Sequence, residues 1–194
     1  MLDAIMCSKP SLRYSTFNSK WGAGEELASI CTGGGDDLFL RFDKNGAIMK
    51  GFDHESSMSP YIPDTHQIWA GIYDRVPASF SSFMKEPAFT IDDVTFCIWR
   101  LNEDRKWNCG TIKFPSENDP DGSRHLLRLY DNMPESYARF ADGYYERELP
   151  LSAIEALYRH EPLTEKLVRD INPKIEFKDL KNDLEEIGYP QKGA

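Results

Sequence analysis

The densest group of side chains that could do chemistry is the Asp-His-Glu-Ser tetrapeptide at residues 53–56. A histidine beside a serine can activate a hydroxyl nucleophile, and histidine with carboxylates can hold a metal ion. However, the sequence has neither a G-x-S-x-G elbow nor an H-E-x-x-H helix. Adjacent residues of an extended segment also point to opposite sides, so three neighbours do not easily chelate one ion. We therefore predict no catalytic residue, metal ligand or cofactor site.

The tetrapeptide begins a long connector, residues 53–72, that is rich in serine, proline, aspartate and histidine. Connectors of this length inside compact domains often carry function. One interpretation is a surface that binds a partner or ligand. The alternative is a small-molecule-binding or hydrolytic enzyme, which requires side chains 54–56 to converge in a concave pocket. The candidate binding residues are Asp53, His54, Glu55, Ser56, Tyr61 and Trp69.

A glycine triplet, Gly33–Gly35, invites comparison with a phosphate-binding loop. It lacks the GK[ST] ending of such loops, and Asp36 and Asp37 follow at once. Two carboxylates at that place would repel a phosphate group. The triplet is therefore predicted to be a turn between strands.

The charge balance favours some partners over others. The chain has 194 residues, with 32 acidic and 23 basic side chains and a net charge of −9. An acidic surface repels nucleic acid and anionic membranes, and it can attract a basic protein. No apolar run approaches the roughly 20 residues of a membrane span, and no secretory signal is visible at the start. Four cysteines without C-x-x-C spacing are typical of reduced thiols, so we expect a cytoplasmic protein.

The strongest strand pattern is a hairpin whose arms are residues 95–101 and 107–114, joined by the polar residues 102–106. Placing Leu101 opposite Trp107 pairs Trp99 with Cys109 and leaves both faces of the first arm largely apolar. A strand that is apolar on both faces belongs inside a sheet. We therefore expect the first arm to be an interior strand.

A second hairpin is predicted from residues 37–42 and 47–52. A two-residue Asn-Gly turn would set Arg41 against Lys50, which is an unfavourable like-charge pair. A four-residue turn at 43–46 instead pairs Phe42 with Ala47 and places the apolar residues on one face. We prefer the four-residue turn.

Helical patterns replace strand patterns after residue 120. Capping signals at Ser123, Asn132, Ser152 and Thr164 precede apolar residues at helical spacing, and Gly188 ends the last helix. Strands first and helices last predict an α+β fold, in which C-terminal helices pack on an N-terminal antiparallel meander. We expect one domain over 1–194, with a loose lead-in at 1–20, mainly β structure at 21–118 and mainly α structure at 119–194.

Several stretches resemble a group of small bacterial proteins of unassigned function. They are Lys50–Tyr61, which contains GFDHES and SPY, Thr95–Trp99 (TFCIW), Pro120–Ser123 and Glu185–Pro190. The likeness extends over most of the chain from Trp21 onward and implies a bacterial cytoplasmic origin without implying a reaction. The architecture is also loosely similar to immunity proteins of bacterial toxin systems such as the SUKH group, which are acidic α+β interaction domains.

Together these features favour a non-catalytic, acidic protein-interaction domain with a basic protein as its partner. Toxin neutralisation is one concrete form of such a function. The hypothesis expects no contact with nucleic acid or membrane, and it leaves the oligomeric state open.

Overall fold

A computed structural model describes residues 1–62 and 64–191. Contacts group the chain into two compact units, one formed by 1–19 with 127–194 and the other by 20–126. The strands are β1 (Ser15–Gly22), β2 (Glu25–Cys31), β3 (Asp37–Asp43), β4 (Gly46–Phe52), β5 (Phe96–Leu101) and β6 (Asn108–Cys109). The α-helices are α1 (Leu2–Met6), α2 (Ser123–Leu126), α3 (Pro134–Tyr145), α4 (Leu151–Tyr158), α5 (Glu165–Ile171) and α6 (Lys181–Ile187).

The six strands form one antiparallel sheet in the order β1-β2-β3-β4-β5-β6, so each strand lies beside its neighbours in sequence. The sheet precedes the C-terminal helices along the chain, and the predicted α+β class is confirmed. Residues 1–20, for which a loose lead-in was expected, form α1, a 3-10 turn and most of β1.

The β3–β4 hairpin has the predicted register. Phe42 lies opposite Ala47, and Leu38 lies opposite Gly51. Gly46 closes the turn with a φ of 147°, and a Cβ atom there would lie 2.1 Å from the Arg100 carbonyl oxygen. The close approach of β5 therefore requires glycine at this position.

The β5–β6 hairpin differs from the prediction by one residue of register. Trp99 pairs with Asn108 and not with Cys109, and the return strand ends at Cys109 instead of continuing to residue 114. A Cβ atom on Gly110 would lie only 1.9 Å from the Gly71 carbonyl oxygen. The approach of the 53–72 connector to Gly110 therefore accompanies the end of strand pairing. Strand β5 lies between β4 and β6, with its buried residues Phe96 and Trp99 on opposite faces.

One hydrophobic cluster of the 20–126 unit includes Ile48 and Trp99 from the sheet. Three 3-10 turns, Ala78–Phe80, Phe83–Lys85 and Pro87–Phe89, each contribute one buried phenylalanine ring to this cluster. The i, i+3, i+4 spacing of Phe80, Phe83 and Met84 taken alone predicts a single short helix at 77–85. The structure has separate turns there instead, and Pro87 prevents continuation because proline lacks a backbone donor.

The other unit is built on a cluster formed by α1 and the helices after residue 126. The Thr164 side chain accepts a hydrogen bond from the Leu167 backbone, which confirms the predicted cap of α5. The capping boxes predicted at Asn132 and Ser152 are wrong, because α3 and α4 begin after Met133 and Pro150. Proline fits the first turn of a helix and fixes the start of α3 at Pro134. None of the helices within the described ranges is both long and apolar enough to cross a bilayer.

Candidate functional site

The start of β3, the end of β4 and the start of β5 lie at the same end of the sheet, because these neighbouring strands are antiparallel. Hydrogen bonds tie a fourth segment to this end. The Ser56 hydroxyl donates to the Pro120 carbonyl oxygen at 2.6 Å, and the Thr95 hydroxyl donates to the Asp121 carbonyl oxygen at 2.7 Å. We call the carboxylates of these segments the acidic end: Asp36, Asp37, Asp53, Glu55, Asp64, Asp92, Asp93, Asp119 and Asp121.

Beneath this surface lies an ion pair between β4 and β3. Lys50 is completely buried, and its Nζ donates to Asp37 Oδ1 at 2.7 Å. The same nitrogen is 3.5 Å from the Thr90 hydroxyl oxygen and lies over the rings of Phe39 and Phe52 at 5.5 and 5.9 Å. Burial lowers the pKa of Lys50 and raises the pKa of Asp37, although each partner's charge opposes the other's shift. The Lys50 charge is therefore held inside the fold by Asp37.

His54 forms a second pair across the same end of the sheet. Its Nδ1 lies 2.5 Å from Asp36 Oδ1, and its backbone N–H donates to the same oxygen at 3.0 Å. The hydrogen bond to Asp36 raises the pKa of His54. Burial of Asp36 acts to raise its pKa, but hydrogen bonds from His54 and Thr32 outweigh this effect and lower it. Both shifts favour the ionised pair.

One potential metal-ligand atom from each of Asp36, Asp53 and His54 lies within 4.8 Å of the other two, so this group is a candidate cation-binding site. Two ligand atoms on a tetrahedral zinc ion would be separated by roughly 3.4 Å. The 2.5 Å separation between His54 and Asp36 is instead a hydrogen-bond distance. We therefore describe this group as an ion pair.

A third polar group joins the connector to the segment before β5. The Tyr61 hydroxyl donates to Asp93 Oδ1 at 2.7 Å, and His66 Nε2 lies 3.1 Å from the same oxygen. The Tyr61 and His66 rings meet edge to face, with centroids 4.6 Å apart. The hydrogen bond to Asp93 raises the pKa of the Tyr61 hydroxyl. Tyr61 is still 59% exposed and Ile62 is 61% exposed, so both are accessible at the surface.

The remaining candidate residues take separate positions. Ser56 is only 6% exposed, and its hydroxyl accepts a bond from the Met58 backbone while donating to Pro120. The Trp69 ring nitrogen donates to the Lys113 carbonyl oxygen at 3.2 Å. His54 pairs with Asp36 and not with Ser56, so the geometry that a hydrolytic centre would need is not formed by these side chains.

Glu55 and Asp53 differ in exposure. The Glu55 side chain is 85% exposed, and its Oε1 lies 3.9 Å from His54 Nε2. Asp53 is half-buried, and its Oδ1 accepts a hydrogen bond from the Glu55 backbone at 3.0 Å. Asp53 therefore shapes the loop, while Glu55 is available to a partner.

An open cleft of about 240 Å³ lies in the helical unit, between α4 and α5. Its lining includes Ala153, Thr164, Leu167 and the ion pair between Lys166 and Asp170. Residues 53–56, around which the enzyme interpretation was built, are not among the residues that line this cleft.

Sequence reasoning missed Asp36, Asp37, Lys50, His66 and Asp93 as members of the site. A signal for part of it was present, because the preferred hairpin register already placed Lys50 opposite Phe39, between the apolar side chains of Ile48 and Phe52 on the same face of β4. A lysine at such a position requires an acidic partner, and Asp37 is two residues from Phe39 on the same face.

Comparisons of the chain with protein-family models, with curated proteins and with solved structures gave no match. The resemblance to a group of small bacterial proteins and the similarity to SUKH-type immunity proteins therefore stay predictions.

Proposed function

We propose that this chain is a non-catalytic protein-binding domain that uses the acidic end to bind a basic protein. One observation carries the proposal: four segments that hydrogen bonds join at one end of the sheet contain nine carboxylates and only two basic side chains besides histidine. Within residues 36–37, 50–66, 90–95 and 118–124, the basic residues besides histidine are Lys50 and Arg124. Lys50 is buried against Asp37, and Arg124 donates to the Asn118 side chain.

An excess of one charge on one surface steers an oppositely charged partner during its approach. Steering alone gives little affinity, because exposed ion pairs each contribute only about 0.2–1 kcal/mol. Tyr61 and Ile62 provide exposed aromatic and aliphatic surface beside the carboxylates. Aromatic residues of this kind are typical anchors of protein interfaces.

The position of Tyr61 is well suited to such a role. Its hydroxyl is held by Asp93, and its ring packs on His66 and on the buried Phe52, with a centroid distance of 5.8 Å to Phe52. A ring held in place loses less conformational freedom on binding than a freely rotating one. Neutralisation of a basic toxin is one form that such binding can take.

The experiment is capture of partners from a lysate of the source organism at moderate salt, followed by calorimetry with the purified partner. The test variant combines Glu55→Gln, Asp64→Asn and Asp92→Asn, all exposed carboxylates of the acidic end. Loss of three exposed ion pairs should weaken binding by roughly 10- to 100-fold. The effect should shrink as salt rises, because the charges are screened.

The matched control combines Glu135→Gln, Glu148→Gln and Glu185→Gln, which removes the same charge from exposed positions of the helical unit. It should bind nearly as tightly as the parent. Equal weakening by both triple variants, or a parent protein that captures no basic protein at moderate salt, would contradict the proposed function.

A further inference from the structure

We propose that binding at the acidic end is controlled by pH through His54 and His66, so that a basic ligand binds more tightly as the two rings lose their protons. This inference rests on the proposed function and adds a form of regulation to it. Its basis is geometric: each of the two rings has one nitrogen within hydrogen-bond distance of a carboxylate of the acidic end.

His54 faces three carboxylates. Asp36 is bonded to its Nδ1, Glu55 Oε1 lies 3.9 Å from its Nε2, and Asp53 precedes it in the chain and acts on it electrostatically. Its side chain is 46% exposed, so its proton exchanges with solvent beside the surface that the ligand would occupy. A proton on this ring therefore cancels negative charge within the acidic end.

His66, further along the 53–72 connector, pairs with a carboxylate of the acidic end as His54 does. Its Nε2 shares Asp93 Oδ1 with the Tyr61 hydroxyl, and its ring contacts the ring of Tyr61. Its side chain is 40% exposed. A proton on His66 therefore places positive charge directly beside the exposed aromatic anchor.

The charge of the surface changes substantially when these rings titrate. Nine carboxylates with Lys50 and Arg124 give a net charge of −7 when both rings are neutral, and of −5 when both are protonated. Loss of one unit of charge should weaken a cationic ligand by roughly two- to fivefold. Loss of both ring protons should therefore strengthen binding by about 4- to 25-fold.

The test uses a tetramethylrhodamine-labelled octalysine peptide as the probe, because its lysines stay charged over this range. Fluorescence anisotropy at constant low ionic strength gives the dissociation constant from pH 5.5 to pH 8. The parent protein should bind the probe more tightly at pH 8. The His54→Gln/His66→Asn double variant should bind it with nearly constant affinity, and a His160→Gln control should behave as the parent does.

Asparagine is chosen at position 66 because His66 has a φ of 45°, a left-handed conformation that asparagine tolerates. Circular dichroism checks that the double variant is folded. A second measurement uses linkage: if protonation weakens probe binding, saturating probe must lower the pKa of His54. Nuclear magnetic resonance titration of the His54 ring protons measures this shift.

The outcomes separate the two proposals. The proposed pH regulation is overturned if the parent binds the probe with the same affinity at every pH. It is also overturned if the double variant, which lacks His54 and His66, keeps the pH dependence of the parent. If the probe binds but binding is equally strong in the Glu55→Gln/Asp64→Asn/Asp92→Asn variant, or if no binding occurs at pH 8, the proposed function itself fails.

Discussion

Replacing Asp37 with asparagine tests the energetic account of the Lys50–Asp37 pair. The substitution keeps the size of the side chain and removes the charge that faces the fully buried Lys50 ammonium group. The asparagine oxygen still accepts a hydrogen bond, so the loss reports the charge specifically. We expect a large decrease in the free energy of unfolding at pH 7.

The size of the loss follows from the geometry. Two unit charges 2.7 Å apart attract each other by about 6 kcal/mol at an effective dielectric constant of 20. The Thr90 hydroxyl at 3.5 Å and the rings of Phe39 and Phe52 compensate only in part. Breaking a buried pair from one side typically costs about 3–5 kcal/mol, and we expect a value in that range.

Urea denaturation monitored by tryptophan fluorescence measures this change, and its pH dependence gives a second check. Burial already lowers the pKa of Lys50 in the parent, and loss of the opposing Asp37 charge lowers it further below the unfolded value, so in the Asp37→Asn variant the unfolded state binds more protons. Stability should therefore rise with pH above neutrality, by up to about 1.4 kcal/mol per pH unit. A Lys50→Met variant cannot show this rise.

The Lys50→Met/Asp37→Asn double variant is the control for packing. It removes both charges, and we expect it to lie within about 2 kcal/mol of the parent, because a buried pair is often replaceable by uncharged groups. A loss below about 1 kcal/mol in Asp37→Asn, or a double variant less stable than Asp37→Asn alone, would refute this account of the pair.

Two further predictions concern polar contacts elsewhere. Asp36→Asn should lower the pKa of His54 towards 6.5, measured by nuclear magnetic resonance, and a pKa that stays raised would contradict the ion pair. With Asp36 present, the raised pKa of His54 stabilises the fold below the ordinary histidine pKa, and this contribution is lost as pH rises through the raised value. Thr164→Ala should cost about 1 kcal/mol in thermal unfolding because the Leu167 backbone donor loses its cap, whereas Thr164→Ser should restore most of it.

The parts of the fold that sequence predicted correctly depend on local patterns. The β3–β4 register follows from alternation and from the like-charge clash of the other register, and the α5 cap follows from threonine before a helical pattern. The predicted β5–β6 register was wrong by one residue, and the return strand ends at Cys109, next to the close approach of Gly110 to Gly71, which is distant in the chain. No local pattern in the hairpin contains that contact.

The candidate site divides in the same way. The residues of 53–56 and Tyr61 were visible because they form a dense polar run on one segment. Their partners Asp36 and Asp93 come from other segments, and only the antiparallel order of the strands brings them together. Sequence also could not show that Ser56 is committed to backbone hydrogen bonds.

The Thr95 side chain anchors two loops of the acidic end to the sheet. Its single hydroxyl accepts from the Asp53 backbone N–H at 3.2 Å and donates to the Asp121 carbonyl oxygen, so one neutral side chain fastens two loops to the start of β5. The loop backbones are thus anchored without using Glu55, Asp64 or Asp92. We therefore expect substitutions of those three side chains to change the charge of the acidic end while the framework keeps its shape, and under the proposed function such changes would alter which partner binds.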